Sequence, residues 1–180
     1  MLAPNLGNDI LTDVADAQKN PNRGLDAFIA YVNDLVHWAW GTRSDTAQLI
    51  LRMGEDCAYI RLGDVEQPVR FLRQMSGAPP MRFGTAGFRS DILDDFNPAR
   101  HYAAFVFVGF WLPTPAAVCL LWAWEVASFI RYKGHWSPKD ILSGNIGIRH
   151  GRLVRRYGAS ILPSLIAADL SEPPDAPSHD

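Results

Sequence analysis

The chain has 180 residues, a formal net charge of -2 and 48% apolar residues. That is the size of one domain with a real hydrophobic core, and the near-neutral balance excludes a chain-wide polyanion binder. Its two cysteines, Cys57 and Cys119, have neither disulfide-framework nor zinc spacing. Residues 1–5 carry neither the basic region nor the apolar core of a secretory signal. The expectation is a chain that is cytoplasmic as synthesised, with any export following a signal-independent route.

Residues 1–24 are polar and rich in Asn and Asp, with a short helix expected near 10–18. From Gly24 to Trp40, apolar residues at Leu25, Phe28, Ile29, Val32, Leu35 and Val36 have helical spacing, and Gly41 ends the pattern. Ser44 or Asp45 can cap a further helix through Met53. Residues 57–62 alternate weakly, as a short strand would, and 67–75 fit another helix. Gly77-Ala78-Pro79-Pro80 is a loop and a candidate boundary between an N-terminal helical region, 1–80, and a core region, 81–170. Arg82-Phe83-Gly84-Thr85-Ala86-Gly87-Phe88-Arg89 resembles a phosphohexomutase signature. That family is several times longer, and its phosphoserine loop and metal-binding Asp cluster are missing here. The expectation is a glycine-bearing loop that lets backbone closely approach the helical hairpin that follows.

The next stretch organises the chain. Asn97 then Pro98 reads as a cap followed by a proline at the first helical position. A helix should run over about 98–112. Pro113-Thr114-Pro115 breaks it, and a second helix follows over about 115–132. A tight link of this kind makes antiparallel neighbours. Apart from a thiol, the only ionisable groups between Tyr102 and Ile130 are Tyr102 and Glu125. Cys119, inside this run, is expected to be an inert core thiol. Each apolar arm is shorter than the ~20 residues of a spanning helix, which leaves a re-entrant hairpin as the membrane-contacting alternative.

His101 precedes Pro113 by twelve residues and Glu125 follows it by twelve. Both therefore sit roughly 18 Å from the turn, level with one another. A carboxylate in that much hydrocarbon is driven to neutralise unless an imidazole or a cation meets it. Asp91, Asp94 and Asp95 lie just before the Asn97 cap, either as favourable charge at a helix start or as a cation ligand beside His101. Ser137-Pro138-Lys139-Asp140 opens a helix over 138–156, with Ser137 and Asp140 in the positions of a capping box. Gly147 and Gly151 give this helix a smooth stripe for close packing. Between Arg131 and Arg156 there are seven Lys or Arg and one Asp, read as a solvated basic face; nucleic acid is the alternative partner. A last helix over 160–170 should bend at Pro163, and 171–180 should be disordered. The fold class is mainly α, a compact helical bundle built on the central apolar hairpin, with little or no β.

The order Asp94, Asn97, Arg100, His101, then Glu125, then Asp140, Asn145, Gly147 resembles a loosely defined group of bacterial helical domains. These share an Asn-x-x-Arg-His start, a His-Glu or Trp-Glu, and an Asp-x-x-x-Asn-x-x-Gly segment. The resemblance covers about a third of the chain, and Trp124 stands where the His-Glu form has its histidine. Such domains are often found at the ends of large secreted effector or toxin proteins, or as small stand-alone proteins. The resemblance therefore implies an effector setting and, as partner, a cognate immunity or carrier protein.

The reading that follows is a hydrolase with His101 and Glu125 as an acid–base pair and Asp140 or Asn145 orienting water or a cation. Arg100 and Arg149 are the candidates for substrate contact, and a peptidoglycan glycan or a phosphodiester is the substrate class. One divalent metal on His101, Glu125 and Asp140 is an allowed variant. The competing reading is a structural or interaction module in which the same groups form a sealed polar clip. Oligomeric state is not legible.

Overall fold

A computed structural model describes residues 24–40, 43–61, 63, 81–94, 96–131 and 137–172. Among them are six α-helices and no strand: α1 (Leu25–Trp38), α2 (Arg43–Ala58), α3 (Pro98–Trp111), α4 (Thr114–Arg131), α5 (Pro138–Tyr157) and α6 (Leu162–Leu170). The chain is mainly α. The helices expected near 10–18 and 67–75, and the proposed boundary at 77–80, lie outside the described residues.

The hairpin is present, and Pro113 divides it. α3 lies at the centre, burying Ala99, Tyr102, Ala103, Phe105, Val106 and Phe110 on more than one face. An apolar helix without a polar face belongs inside, and α3 obeys that rule. Its principal neighbour is α5 rather than its hairpin partner α4. Glycines decide this. A Cβ on Gly147 would stand 2.7 Å from the Tyr102 carbonyl oxygen, and one on Gly151 would stand closer still to that of Val106. Only hydrogen at these positions lets the two backbones approach so closely. One core runs through α1, α2, α3, α5 and α6, with Phe28 edge-on to Tyr102 at 5.9 Å. A smaller cluster of Phe105, Ala117, Leu121 and Ile148 holds α4 against α3 and α5.

Several sequence expectations are corrected. Residues 57–61 do not form a strand, and 62 lies outside the described residues: α2 continues through Ala58 and closes on Tyr59, whose φ of 62° is left-handed. The Tyr59 amide bonds Glu55 O at 3.0 Å and the Ile60 amide bonds Gly54 O at 2.9 Å, so the helix end is satisfied by an αL cap. The 82–89 backbone pairs with the start of α1, while Phe83 and Phe88 join the core that α3 shares. Gly24 N donates to Phe83 O and Leu25 N to Ala86 O at 2.8 Å, which satisfies amides at the start of α1. Asn97 occupies the N-cap of α3 without a side-chain cap bond; its carbonyl accepts from Arg100 N at 3.0 Å.

Pro163 does not bend a helix. It stands in the first turn of α6, after a 3₁₀ turn at Ala159–Ile161, where its missing N–H costs nothing. Ser171 and Glu172 are held rather than loose: Ser171 bridges Phe88, and Glu172 accepts from Ser90 N at 2.8 Å. Cys119 is exposed, not a core thiol, because α4 buries only the stripe Ala117, Leu121 and Glu125. No described helix is long and apolar enough to cross a membrane.

Candidate functional site

Three helices deliver one ionisable side chain each to the same place. His101 comes from the first turns of α3, Glu125 from the second half of α4, and Asp140 from the first turn of α5. One nitrogen or oxygen atom from each lies within 4.8 Å of the other two. Ser137 fixes the start of α5 by accepting from Asp140 N at 3.1 Å. The Asp140 carboxylate faces His101, with Oδ1 4.0 Å from Nδ1. Phe105 packs on the imidazole at 4.8 Å between ring centroids, and a Cβ on Gly144 would sit 3.2 Å from Nε2. The same Cβ would stand 2.5 Å from Leu121 Cδ1, so Gly144 leaves room first for Leu121 and then for the ring.

The electrostatics follow from burial. Glu125 is 3% exposed, and among the described residues Oε1 has no hydrogen-bond partner; neither has Nε2 of His101. Burial raises the Glu125 carboxyl to about 7, with the charge of Asp94 adding to the effect. Burial also lowers the His101 imidazole to about 4, against the opposing pull of the Asp140 backbone and of Asp94. Near neutral pH the ring is uncharged, with a nitrogen lone pair to offer. A half-neutralised buried carboxyl beside a neutral imidazole can exchange protons, or both can ligate a cation.

The other residues singled out from sequence are placed differently. Asn145 is exposed and bonds Ile141 O one turn back on its own helix at 2.8 Å. Nine residues separate Arg149 from Asp140 on α5, which places it on the opposite face and roughly 13 Å further along. There it pairs with Asp169 at 2.7 Å. Arg100 is adjacent to His101, and its charge helps keep the ring neutral. Of the acidic cluster, Asp91 is paired with Arg89, Asp94 acts on both His101 and Glu125 through its field, and Asp95 is outside the described residues. The basic stretch is dispersed: Lys139 bonds Leu93 O, and Arg155 bonds Phe110 O.

Sequence reasoning missed a second buried polar cluster. Tyr102 Oη lies 2.8 Å from Nδ1 of His150, and Nε2 of His150 lies 2.8 Å from Asp169 Oδ2. A carboxylate only accepts, so Nε2–H donates to Asp169, and the tyrosine hydroxyl donates to Nδ1. Tyr102 and His150 are fully buried. The signal was present: His150 continues the buried face set by Gly147 and Gly151, and Asp169 is the lone charge in α6.

A groove of about 730 Å³ lies at the far end of α5, lined by Trp40, Phe110, Val154, Arg155 and Ser160 among others. It does not include His101, Glu125 or Asp140. Solvent reaches the three-residue site through Asp140 and His101, whose side chains are 29% and 15% exposed. No protein-family model, curated protein or solved structure matches this chain.

Proposed function

We propose that the chain is a hydrolase whose reacting centre is His101, Glu125 and Asp140. The observation that carries this reading is the convergence of three ionisable groups from three helices, two of them holding a buried polar atom with no partner among the described residues. A structural cluster spends its hydrogen bonds internally; this one keeps them for something else. In the proposed reaction water adds across a glycosidic or phosphodiester bond. One member of the His101–Glu125 pair takes a proton from the attacking water, and the other gives a proton to the leaving oxygen. Asp140, at the solvent side, orients the water. The resemblance to effector-associated domains supports a toxin-like role, with peptidoglycan or a phosphodiester as target, export by a signal-independent route, and a cognate immunity or carrier protein as partner.

The test expresses the chain in bacterial cells with and without a periplasmic export signal, against a Glu125→Gln control. Growth arrest only on export points to the envelope, and arrest only inside points to a cytosolic phosphodiester. Arrest that persists in the Glu125→Gln chain rejects the catalytic assignment, as does normal growth in both compartments.

A second reading has its own observation. Leu120, Val126 and Ile130 on α4 are 43%, 49% and 75% exposed, an apolar flank of the kind that meets a partner protein or a bilayer surface. It predicts capture of the chain by a partner or by vesicles that is indifferent to Glu125→Gln.

A further inference from the structure

We infer that His101, Glu125 and Asp140 are the protein ligands of one divalent transition-metal ion of the zinc and manganese class. The inference uses the side chains of the proposed reacting centre but does not require that hydrolysis occur there.

Spacing is the first argument. Three atoms mutually within 4.8 Å have a common point no further than about 2.8 Å from each, so a contraction of roughly 0.7 Å reaches the ~2.0–2.2 Å of metal–nitrogen and metal–oxygen bonds. Adjacent side chains shift by that much without moving a helix. The second argument is a contrast inside the molecule. His150 and Asp169 close to 2.8 Å, an ordinary hydrogen bond, whereas His101 and Asp140 stand 4.0 Å apart, too far for one. Two ligands sharing an ion are held ~3–4 Å apart by the ion between them.

Charge is the third. Two carboxyl groups and one imidazole converge within 4.8 Å of one another, and a divalent cation bound there would cancel the charge of both carboxyls when ionised. Glu125 is the decisive member. It is 97% buried, and among the described residues its Oε1 has no hydrogen-bond partner and no lysine or arginine is paired with it by a salt bridge. A cation is the partner that would let a carboxylate remain ionised there.

The donor set selects the ion. One nitrogen with two carboxylate oxygens suits zinc, manganese or ferrous iron, while the lack of a thiolate disfavours cuprous copper. Magnesium and calcium prefer oxygen-only shells. Three protein ligands leave coordination positions open, the arrangement of catalytic rather than structural centres.

The test uses the full-length chain, stripped with chelator and dialysed separately against Zn²⁺, Mn²⁺, Mg²⁺ and Ca²⁺, with bound metal counted by elemental analysis. One equivalent of Zn²⁺ or Mn²⁺ per chain is expected, without stoichiometric Mg²⁺ or Ca²⁺. His101→Gln, Glu125→Gln and Asp140→Asn should each weaken binding about tenfold or more with unchanged circular dichroism. A measurement that needs no substitution is paramagnetic broadening by Mn²⁺, which should centre on the starts of α3 and α5 and spare His37, whose Nδ1 is already engaged with Asn33 O at 2.7 Å. Uptake of no ion, uptake unchanged in all three variants, or broadening centred elsewhere overturns the inference. Stoichiometric metal without growth arrest in either compartment leaves the inference standing and removes the hydrolase. Glu125-dependent arrest without metal uptake does the reverse.

Discussion

Two histidines on the central helices of this bundle sit in opposite situations. His150 is sealed, with one ring nitrogen meeting Tyr102 and the other Asp169, each at 2.8 Å. His101, at the start of α3, has a buried Nε2 without a partner among the described residues, beside a carboxyl oxygen in the same condition. Burial disfavours the charged form of both rings. The difference lies in what the fold built around them. The His150 cluster joins α3, α5 and α6 and leaves nothing over, as a stabilising polar network should. The His101 cluster joins α3, α4 and α5 and leaves capacity unused. A buried polar group left in that state costs folding free energy, so its persistence points to a role outside folding.

The contrast can be broken at its common frame. Gly151→Ala drives a methyl into the α3 backbone at Val106 and Phe110. It should cost about 3 kcal/mol by urea unfolding, the upper range for overpacking, and perturb both clusters together. A near-neutral result would mean that α3 and α5 are less tightly joined than their glycines indicate.

The sealed cluster should show the next largest effect. His150→Leu keeps the volume but strands the Tyr102 hydroxyl, at a cost of about 2 kcal/mol near pH 7. It should also change the pH profile. The folded chain binds a proton on His150 less readily than the unfolded chain does. That contribution is fully present above pH ~6.5 and is lost as pH falls below it. Asp169, whose pKa is lowered by the imidazole and by Arg149, acts in the same direction at lower pH, so its share fades only below pH ~4. Unfolding curves measured from pH 8 to pH 4 should therefore be shallower in the variant than in the parent chain, because His101 and Glu125, shifted in opposite directions by burial, largely offset one another in both.

The open cluster should respond least. In metal-stripped protein, Glu125→Leu removes a buried carboxyl that has an unsatisfied oxygen, and stability should stay level or rise by about 1 kcal/mol. A loss of more than about 2 kcal/mol would show that Glu125 serves as a structural clip after all, and the distinction between the histidines would collapse.

Much of the bundle was legible because local chemistry and tertiary packing agree. Pro98, Pro113 and the Ser137-Pro138 pair mark helix starts and a break wherever the fold is, so those boundaries hold to within a residue or two. The level placement of His101 and Glu125 needed only the rise of a helix and the position of Pro113. What escaped was long-range. Nothing near residues 57–62 announces that Tyr59 will take a left-handed φ, a conformation that favours glycine. Which face of α4 would be buried could not be read from a helix that is apolar all round, so Cys119 was misplaced. Tyr102, His150 and Asp169 stand far apart in the chain, and no spacing rule joins them. Arg149 and Asn145 share a helix with Asp140, but helical phase turns Arg149 to the opposite face and leaves Asn145 on an exposed one.

The placement of Cys119 gives the molecule a built-in reporter. With Cys57 sealed in the core, a thiol-reactive spin label or fluorophore would attach at a single position without any engineering of the sequence. That position is on the oily flank of α4, less than two helical turns before Glu125. The same adduct would sense whether water, lipid or another polypeptide lies against the flank, and paramagnetic quenching would register an ion arriving nearby.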